Sequence, residues 1–362
     1  MNLRQTEELT GWAFALPFLV SLGAFFLYAA LRTFYFSFTD FDLFSMPAFV
    51  GLANYLALVT DNLFLIALGN TLSFSLIVTV SQTTLAMLLA VLVNRSIAGR
   101  GVWRTIFYLP SIMSSAAMTI IFLWLFQRQG LMTGLVQFAA GTRWYILSFF
   151  AVWVLGQLAL VFNARRKYEH VGLGDPFFLA LSLAGAVLVT FLLRLGSVLP
   201  LYGDEYLISW LNTSTRFLFM PQTLWSIALM NVFTTVPTFM LMFLAGLQTV
   251  PVWLYEAAEL DGASGFQKFR DITVPALAPV TFAVVTFGII GTLQMFDQVA
   301  ILGTAAPIES RVTLAYYIYD NAFPQGATPR IGMSSAAAVL LGIITIAVVY
   351  IQRALGVSDR TK

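Results

Sequence analysis

The chain has 362 residues, of which 59% are hydrophobic and 10% are charged, and its mean hydropathy is +0.85. This composition excludes a water-soluble protein with a core of ordinary size and indicates that lipid surrounds the chain. The net charge of +2 is too small to indicate nucleic-acid binding. Because the chain has no cysteine, disulfides, thiolate metal sites and cysteine nucleophiles are also excluded.

Eight uncharged, continuously apolar runs are long enough to cross about 30 Å of hydrocarbon, which takes roughly 20 helical residues. A barrel strand would alternate in polarity and cross in about 10 residues, so the runs predict an all-α integral membrane protein. The first run is long for a signal peptide, and we expect an uncleaved anchor. The predicted spans are 12–31, 68–93, 105–126, 144–162, 177–193, 224–247, 276–296 and 332–352.

Basic residues indicate the orientation, because they collect on the cytoplasmic side of bacterial inner-membrane proteins. An even number of spans places both termini on one side. With the N-terminus inside, twelve of the nineteen Lys and Arg residues fall in cytoplasmic segments. The lone His170 lies in one of the basic loops and has no second histidine for a metal site. The twelve residues are Arg4, Arg95, Arg100, Arg104, Arg165, Arg166, Lys167, Lys268, Arg270, Arg353, Arg360 and Lys362.

A charged segment between two of the apolar runs, residues 248–275, has the pattern of a short helix on the membrane surface. Pro251 can begin a helix, Ala257 and Ala258 favour one, and Gly262 can end it. An amphipathic helix of this kind is suited to lie in a groove on another protein.

The same segment resembles the EAA loop of bacterial ABC importer permeases. Glu256-Ala257-Ala258 is followed by Gly262 after three residues and by Ile272 and Pro275 after nine more, with Val274 where leucine is usual. The resemblance implies a type I ABC importer transmembrane fold in which this loop docks on an ATPase subunit. The positions to which the coupling role carries over are Glu256, Ala257, Ala258, Asp261, Gly262, Ala263, Phe266 and Phe269.

Two further segments, residues 34–55 and 94–111, resemble connections of sugar-type permeases. Removing residues 143–194 leaves six spans with such connections, so this pair of spans is predicted to be an inserted hairpin. We expect it to face lipid, because it is poor in polar residues. The predicted organisation is a cytoplasmic N-terminus (1–10), a permease domain (11–355) and a cytoplasmic tail (356–362).

Polar side chains inside spans are costly and therefore mark a candidate transport route. Asn231, Thr234 and Thr238 share one helical face near Pro237. A threonine can bond to its preceding turn, whereas Asn231 and Gln294 cannot do so fully, and we expect these two amides to face one cavity. By resemblance to the larger permease of maltose-type transporters, the substrate-contact positions are Asn231, Thr234, Thr235, Thr238 and either Gln294 or Met295.

The resemblance implies a carbohydrate importer subunit in a bacterial or archaeal inner membrane. Its partners would be a second homologous permease, two ATPase subunits, an extracytoplasmic binding protein and membrane lipid. Amides and hydroxyls beside aromatic rings suit a neutral sugar. The chain has no Gly-x-x-x-x-Gly-Lys-Ser/Thr phosphate loop, so ATP and Mg²⁺ are expected on the ATPase partner, with no cofactor, metal or catalytic residue in this chain.

Three alternatives remain open from the sequence. A glycerol-phosphate importer permease belongs to the same family. A membrane-embedded enzyme acting on lipids or polyprenol sugars would require acids, histidines or metal ligands clustered at one membrane face. A self-powered secondary transporter should show charges in mid-span or an internal repeat, and the sequence shows neither.

Overall fold

The computed structural model describes residues 3–94, 100–127, 129–165, 176–196, 198 and 209–354. The basic turn at residues 95–99, the loop that carries Lys167 and His170, and the tail at 356–362 lie outside these ranges.

The described residues form a helical membrane protein, as the apolar runs predict. Of the helices in these ranges, seven are long and apolar enough to cross a membrane, and one bent pair makes a possible eighth. The structure thus agrees with a count of up to eight spans. The seven are Gly11–Phe36, Asn62–Asn94, Arg143–Ala164, Pro176–Leu195, Gln222–Gln248, Ala278–Ala305 and Ile331–Ala354.

The span predicted at residues 105–126 is a broken helix. Its two parts, Thr105–Ile112 and Ser115–Leu125, meet at an angle of 102°. At the break, the Oγ of Ser114 accepts a hydrogen bond from the backbone N–H of Ala117 at 3.2 Å and so caps the start of the second part. Apolar length alone therefore located this segment but could not predict the bend.

The elements in chain order include two short antiparallel hairpins and several helices too short to span. The first long helix passes through a π-helical turn, Leu22–Leu27, between α1 and α2. A second π-helical turn, Phe269–Thr273, and a 3₁₀ turn, Gly303–Ala305, lie later in the chain. The elements are α1 Leu3–Ser21, α2 Tyr28–Phe36, β1 Thr39–Asp40, β2 Ala48–Phe49, α3 Ala53–Thr60, α4 Asn62–Asn94, α5 Arg100–Ile112, α6 Ser115–Leu125, α7 Leu131–Gly141, α8 Arg143–Arg165, α9 Pro176–Leu195, β3 Arg216–Phe217, β4 Met220–Pro221, α10 Gln222–Gln248, α11 Val252–Leu260, α12 Gly265–Lys268, α13 Val274–Ala276, α14 Ala278–Leu293, α15 Asp297–Leu302, α16 Ile308–Arg311, α17 Leu314–Ala322 and α18 Ile331–Ala354.

The chain divides into two compact units, Leu123–Trp210 and the remainder. In the larger unit, α4 packs along both α10 and α14. Gly288 lets α14 approach α4, because a Cβ there would lie 3.0 Å from Thr79 Cγ2. One apolar cluster fills the space between these three helices, and a second surrounds the buried Tyr317 where α3, α4, α17 and α18 meet.

The smaller unit contains α7, α8 and α9. Helices α8 and α9 pack against each other and match the predicted hairpin at 143–194. Ser182 on α9 donates a hydrogen bond to Gln157 Oε1 on α8 at 2.7 Å, so the pair satisfies these polar groups internally. The lipid-facing position of this hairpin stays a prediction.

Candidate functional site

The charged segment folds as the sequence predicts, with a helix, α11, that begins after Pro251 and ends at Leu260, two residues before Gly262. Gly262 has a φ of +75°, the left-handed conformation that glycine adopts without a Cβ penalty. Its N–H donates to the Glu259 carbonyl at 3.0 Å, and the N–H of Ala263 donates to the Ala258 carbonyl at 2.9 Å. This pair of bonds is a Schellman motif, which satisfies carbonyls that the helix end would leave unpaired.

A second short helix, α12, is fixed against α11. Its capping box joins Ser264 and Gln267, with Gln267 Oε1 accepting from the Ser264 N–H at 2.7 Å. Lys268 Nζ lies 2.6 Å from Glu259 Oε1, and this hydrogen bond and charge lower the pKa of the exposed Glu259 carboxyl. Tyr255 also bonds to Thr273 Oγ1 at 3.0 Å. The two helices therefore form one braced unit.

Large apolar side chains are exposed on this braced unit. Leu260 is 90% exposed and Phe266 69% exposed, and Trp253 is also exposed. Glu256, Ala257, Asp261 and Gly262 lie on the same exposed segment, whereas Ala258, Ala263 and Phe269 are half-buried. Exposed leucine and phenylalanine beside charged residues are typical of a protein-binding surface. Their coupling role stays a prediction.

An open cavity of about 750 Å³ lies beside this segment. Its apolar wall comes from the end of α4, including Leu88 and Leu92, and its other wall includes Phe266, Lys268 and Phe269.

A chain of three amides crosses the core of the larger unit. Gln82 Nε2 on α4 donates to Asn231 Oδ1 on α10 at 2.6 Å. Asn231 Nδ2 in turn donates to Gln298 Oε1 on α15 at 3.1 Å. Gln82 is fully buried, and its Oε1 has no hydrogen-bond partner among the described residues. The amide of Asn231 is therefore held from both sides.

Two of these amides, those of Asn231 and Gln298, border a polar cavity of about 210 Å³. Asn231, Thr234, Thr235 and Gln298 form one wall. The other wall comes from the broken helix, where Pro110, Ser111, Met113, Ser115 and Met118 line the cavity. None of the described residues that line it is charged. The cavity combines hydrogen-bonding groups with methionine side chains, which suits a small neutral polar ligand.

The other predicted pathway residues do not line this cavity. Thr238 is exposed, and Met295 is buried. Gln294 lies in a separate groove of about 460 Å³ with Phe296, Tyr319 and Phe323. The expectation that Asn231 and Gln294 face one cavity is therefore wrong, because α14 ends at Leu293 and the chain turns before α15. Gln298, one turn further on, takes the place expected for Gln294.

Sequence reasoning missed Gln82 and Gln298 as site residues. Gln82 lies inside the second predicted span. Burying its amide in the membrane costs as much free energy as burying the amide of Asn231, and this cost was the signal that could have identified it. The serines of the broken helix gave no comparable signal, since a serine in a membrane helix can bond to its own preceding turn.

Known proteins match this chain in family, in sequence and in fold. A family model described as "Binding-protein-dependent transport system inner membrane component" matches residues 173–357. The lactose permease protein LacF of Rhizobium radiobacter is 27% identical over 89% of this chain and 86% of its own length. The arabinooligosaccharide permease protein AraP of Bacillus subtilis is 28% identical, over 96% and 88%.

The sn-glycerol-3-phosphate permease protein UgpA of Agrobacterium fabrum is 27% identical, over 93% of this chain and 90% of its own length. Among solved structures, a bacterial ABC transporter involved in the import of the acidic polysaccharide alginate matches with a TM-score of 0.67 at 17% identity. That match covers 99% of this chain and 98% of the other, and it shows a shared fold.

Proposed function

Because the chain belongs to the family of binding-protein-dependent transport system inner membrane components, we propose that it is the permease subunit of an ATP-driven sugar importer. The observation that carries the sugar assignment is the uncharged cavity of amides and hydroxyls beside Asn231. A sugar hydroxyl both donates and accepts hydrogen bonds, and these side chains offer both. Permeases for lactose and arabinooligosaccharides among the relatives support the same substrate class.

The energy source and the assembly are part of the proposal. The exposed apolar side chains of the segment that includes Leu260 and Phe266 would dock on an ATPase subunit and transmit its closure to the spans. A second permease subunit and a second ATPase would complete the complex, and an extracytoplasmic binding protein would deliver the sugar. ATP and Mg²⁺ would bind the ATPase subunits. In this arrangement both termini and the Glu256 segment lie in the cytoplasm of a bacterial or archaeal cell.

A glycerol-phosphate importer is the second candidate, because UgpA is among the relatives. A phosphate ester requires cationic or strongly donating groups. Among the described residues of the larger unit, Arg311 is the buried arginine. It donates to the carbonyls of Ala306 and Val299, and its Cζ lies 4.6 Å from the centroid of the Tyr316 ring. It does not line the cavity beside Asn231, which favours the neutral sugar.

The test is uptake by a host strain that lacks its own sugar importers and expresses the chain with its partner subunits. Radiolabelled lactose, maltose, trehalose and sn-glycerol-3-phosphate are supplied separately. We expect uptake of at least one sugar above the empty-vector control and no uptake of glycerol phosphate. Uptake of glycerol phosphate alone would contradict the sugar assignment.

A further inference from the structure

The orientation of the three-amide chain is determined by one backbone group. Gln82 Nε2 lies 3.3 Å from the backbone carbonyl oxygen of Asn231, as well as 2.6 Å from Asn231 Oδ1. A backbone carbonyl can only accept a hydrogen bond. If the Gln82 amide were flipped, its oxygen would face that carbonyl and its two N–H donors would be buried without acceptors, which is more costly than one buried acceptor.

The orientation of the Gln82 amide determines the orientations of the Asn231 and Gln298 amides. Because Gln82 donates, Asn231 Oδ1 must accept, and Asn231 Nδ2 is left to donate to Gln298 Oε1. Gln298 lines the cavity, and its Nε2 has no hydrogen-bond partner among the described residues. Both of its N–H groups are available to a ligand.

The same wall also supplies an acceptor. The hydroxyl of Thr234 shares its one hydrogen between the carbonyls of Met230 and Asn231, each at 3.1 Å, so the lone pairs of its oxygen are available to a ligand. The cavity therefore has amide donors at Gln298 and a hydroxyl acceptor at Thr234. A sugar hydroxyl, which accepts one hydrogen bond and donates another, matches this pair.

We propose that Gln82 is a positioning residue: through Asn231 it holds the Gln298 amide with its donors toward the cavity, and this orientation determines the affinity for a sugar hydroxyl. The proposal rests on the proposed function for its ligand, but the orientation itself does not. Gln82 does not line the cavity, so it acts on the sugar only through Asn231 and Gln298.

The transport test compares Gln82→Met with Thr83→Val in the assembled complex. Methionine keeps the volume of glutamine and removes the donor, whereas Thr83 is the next buried residue of α4 and has no described partner for its hydroxyl. The probe is whichever of lactose, maltose and trehalose the wild-type complex carries fastest. Gln82→Met should raise KM about three- to tenfold with Vmax within about twofold, because one sugar hydrogen bond is misaligned. Thr83→Val should leave KM within about twofold.

The double variant shows whether Gln82 acts through Gln298. Gln82→Met with Gln298→Met should have the KM of Gln298→Met alone, because the positioned amide is gone. The proposal would be overturned if the KM increase in the double variant were the product of the increases in the two single variants. It would also be overturned if Gln82→Met left KM unchanged.

A second measurement needs no substrate. The thermal unfolding temperature of the complex is measured for Gln82→Met, Gln298→Met and the double variant, in the presence of Asn231 and again with Asn231→Leu. With Asn231 present, the two single variants should lower the unfolding temperature by amounts whose sum exceeds the fall in the double variant by about 2 °C. In the Asn231→Leu background, the fall in the double variant should equal the sum of the falls in the two single variants.

Additive losses with Asn231 present would overturn the positioning role, even if the wild-type complex carries sugar. Coupled losses in a complex that carries no sugar would support the orientation and contradict the proposed function. If Gln82→Met prevents assembly, the experiments use Gln82→Asn instead, because the shorter side chain of asparagine places its amide out of reach of Asn231 Oδ1.

Discussion

At the scale of single residues, Gly262 and Asn231 show which structural features a single position in the sequence can predict. Gly262 was predicted to end the short helix, and its positive φ and the Schellman bonds confirm that reading. Asn231 was predicted from the cost of an amide in lipid, and it does border a polar cavity. Its partners Gln82 and Gln298 come from other helices, 149 and 67 residues away, so no local pattern could pair them with Asn231.

The first prediction concerns Gly262, where a substitution would strain the backbone but would not cause a steric clash. Nothing lies within 4 Å of a Cβ built there, so a side chain would fit and only the φ of +75° opposes it. A β-branched residue in this conformation is strained by about 1–3 kcal/mol, whereas asparagine tolerates it better. Gly262→Val should therefore abolish sugar-stimulated ATPase activity of the purified complex, and Gly262→Asn should keep most of it. Equal activity in the two variants would contradict a coupling role that depends on this turn.

At the scale of elements, apolar length predicted the spans but not how they end or bend. The run at 224–247 became α10, Gln222–Gln248, because a continuous helix satisfies every backbone group in lipid. The run at 105–126 became two helices, and the oxygen of Ser114 caps the start of the second. The run at 276–296 ended early at Leu293, which moved Gln294 out of the expected cavity. These outcomes depend on single side chains and on neighbouring helices.

The second prediction concerns the contact between the start of α18 and the first hairpin. A Cβ at Gly332 would overlap with the backbone carbonyl oxygen of Thr39, an atom that Asn54 Nδ2 also holds at 2.9 Å. Gly332→Ala should therefore force the two elements apart, with a loss of about 2 kcal/mol and a fall of about 5 °C in the unfolding temperature. Gly342→Ala, in the same helix but with open space at its Cβ, is the matched control and should change the temperature by less than about 1 °C. Equal shifts in the two variants would show that the contact is not tight.

At the scale of the whole molecule, composition and one motif were sufficient to predict the class of protein. The mean hydropathy of +0.85 predicted a membrane protein, and the spacing from Glu256 to Pro275 predicted the permease family to which residues 173–357 match. The sequence does not specify the sugar, because that depends on the shape of a cavity made by three separate segments. The sequence also predicted the orientation in the membrane, and labelling can test it.

The third prediction is that the Glu256 segment lies in the cytoplasm and the segment around Glu309 outside. The native chain has no cysteine, so Arg270→Cys and Glu309→Cys each give a single labelling site. A membrane-impermeant maleimide should label position 309 in intact cells and position 270 only after permeabilisation. Lys167→Cys, which lies outside the described residues, should behave like position 270. Labelling of position 270 in intact cells would reverse the orientation.

In the proposed function, this chain forms the membrane pathway of an importer driven by ATP. Its most direct test is sugar uptake by proteoliposomes that contain the chain with its partner permease and ATPase subunits, with the binding protein and labelled sugar outside. We predict uptake when ATP and Mg²⁺ are enclosed, and none with ADP or a non-hydrolysable ATP analogue. Uptake that requires a proton or sodium gradient and proceeds without ATP would contradict the account, because it would identify a secondary transporter instead.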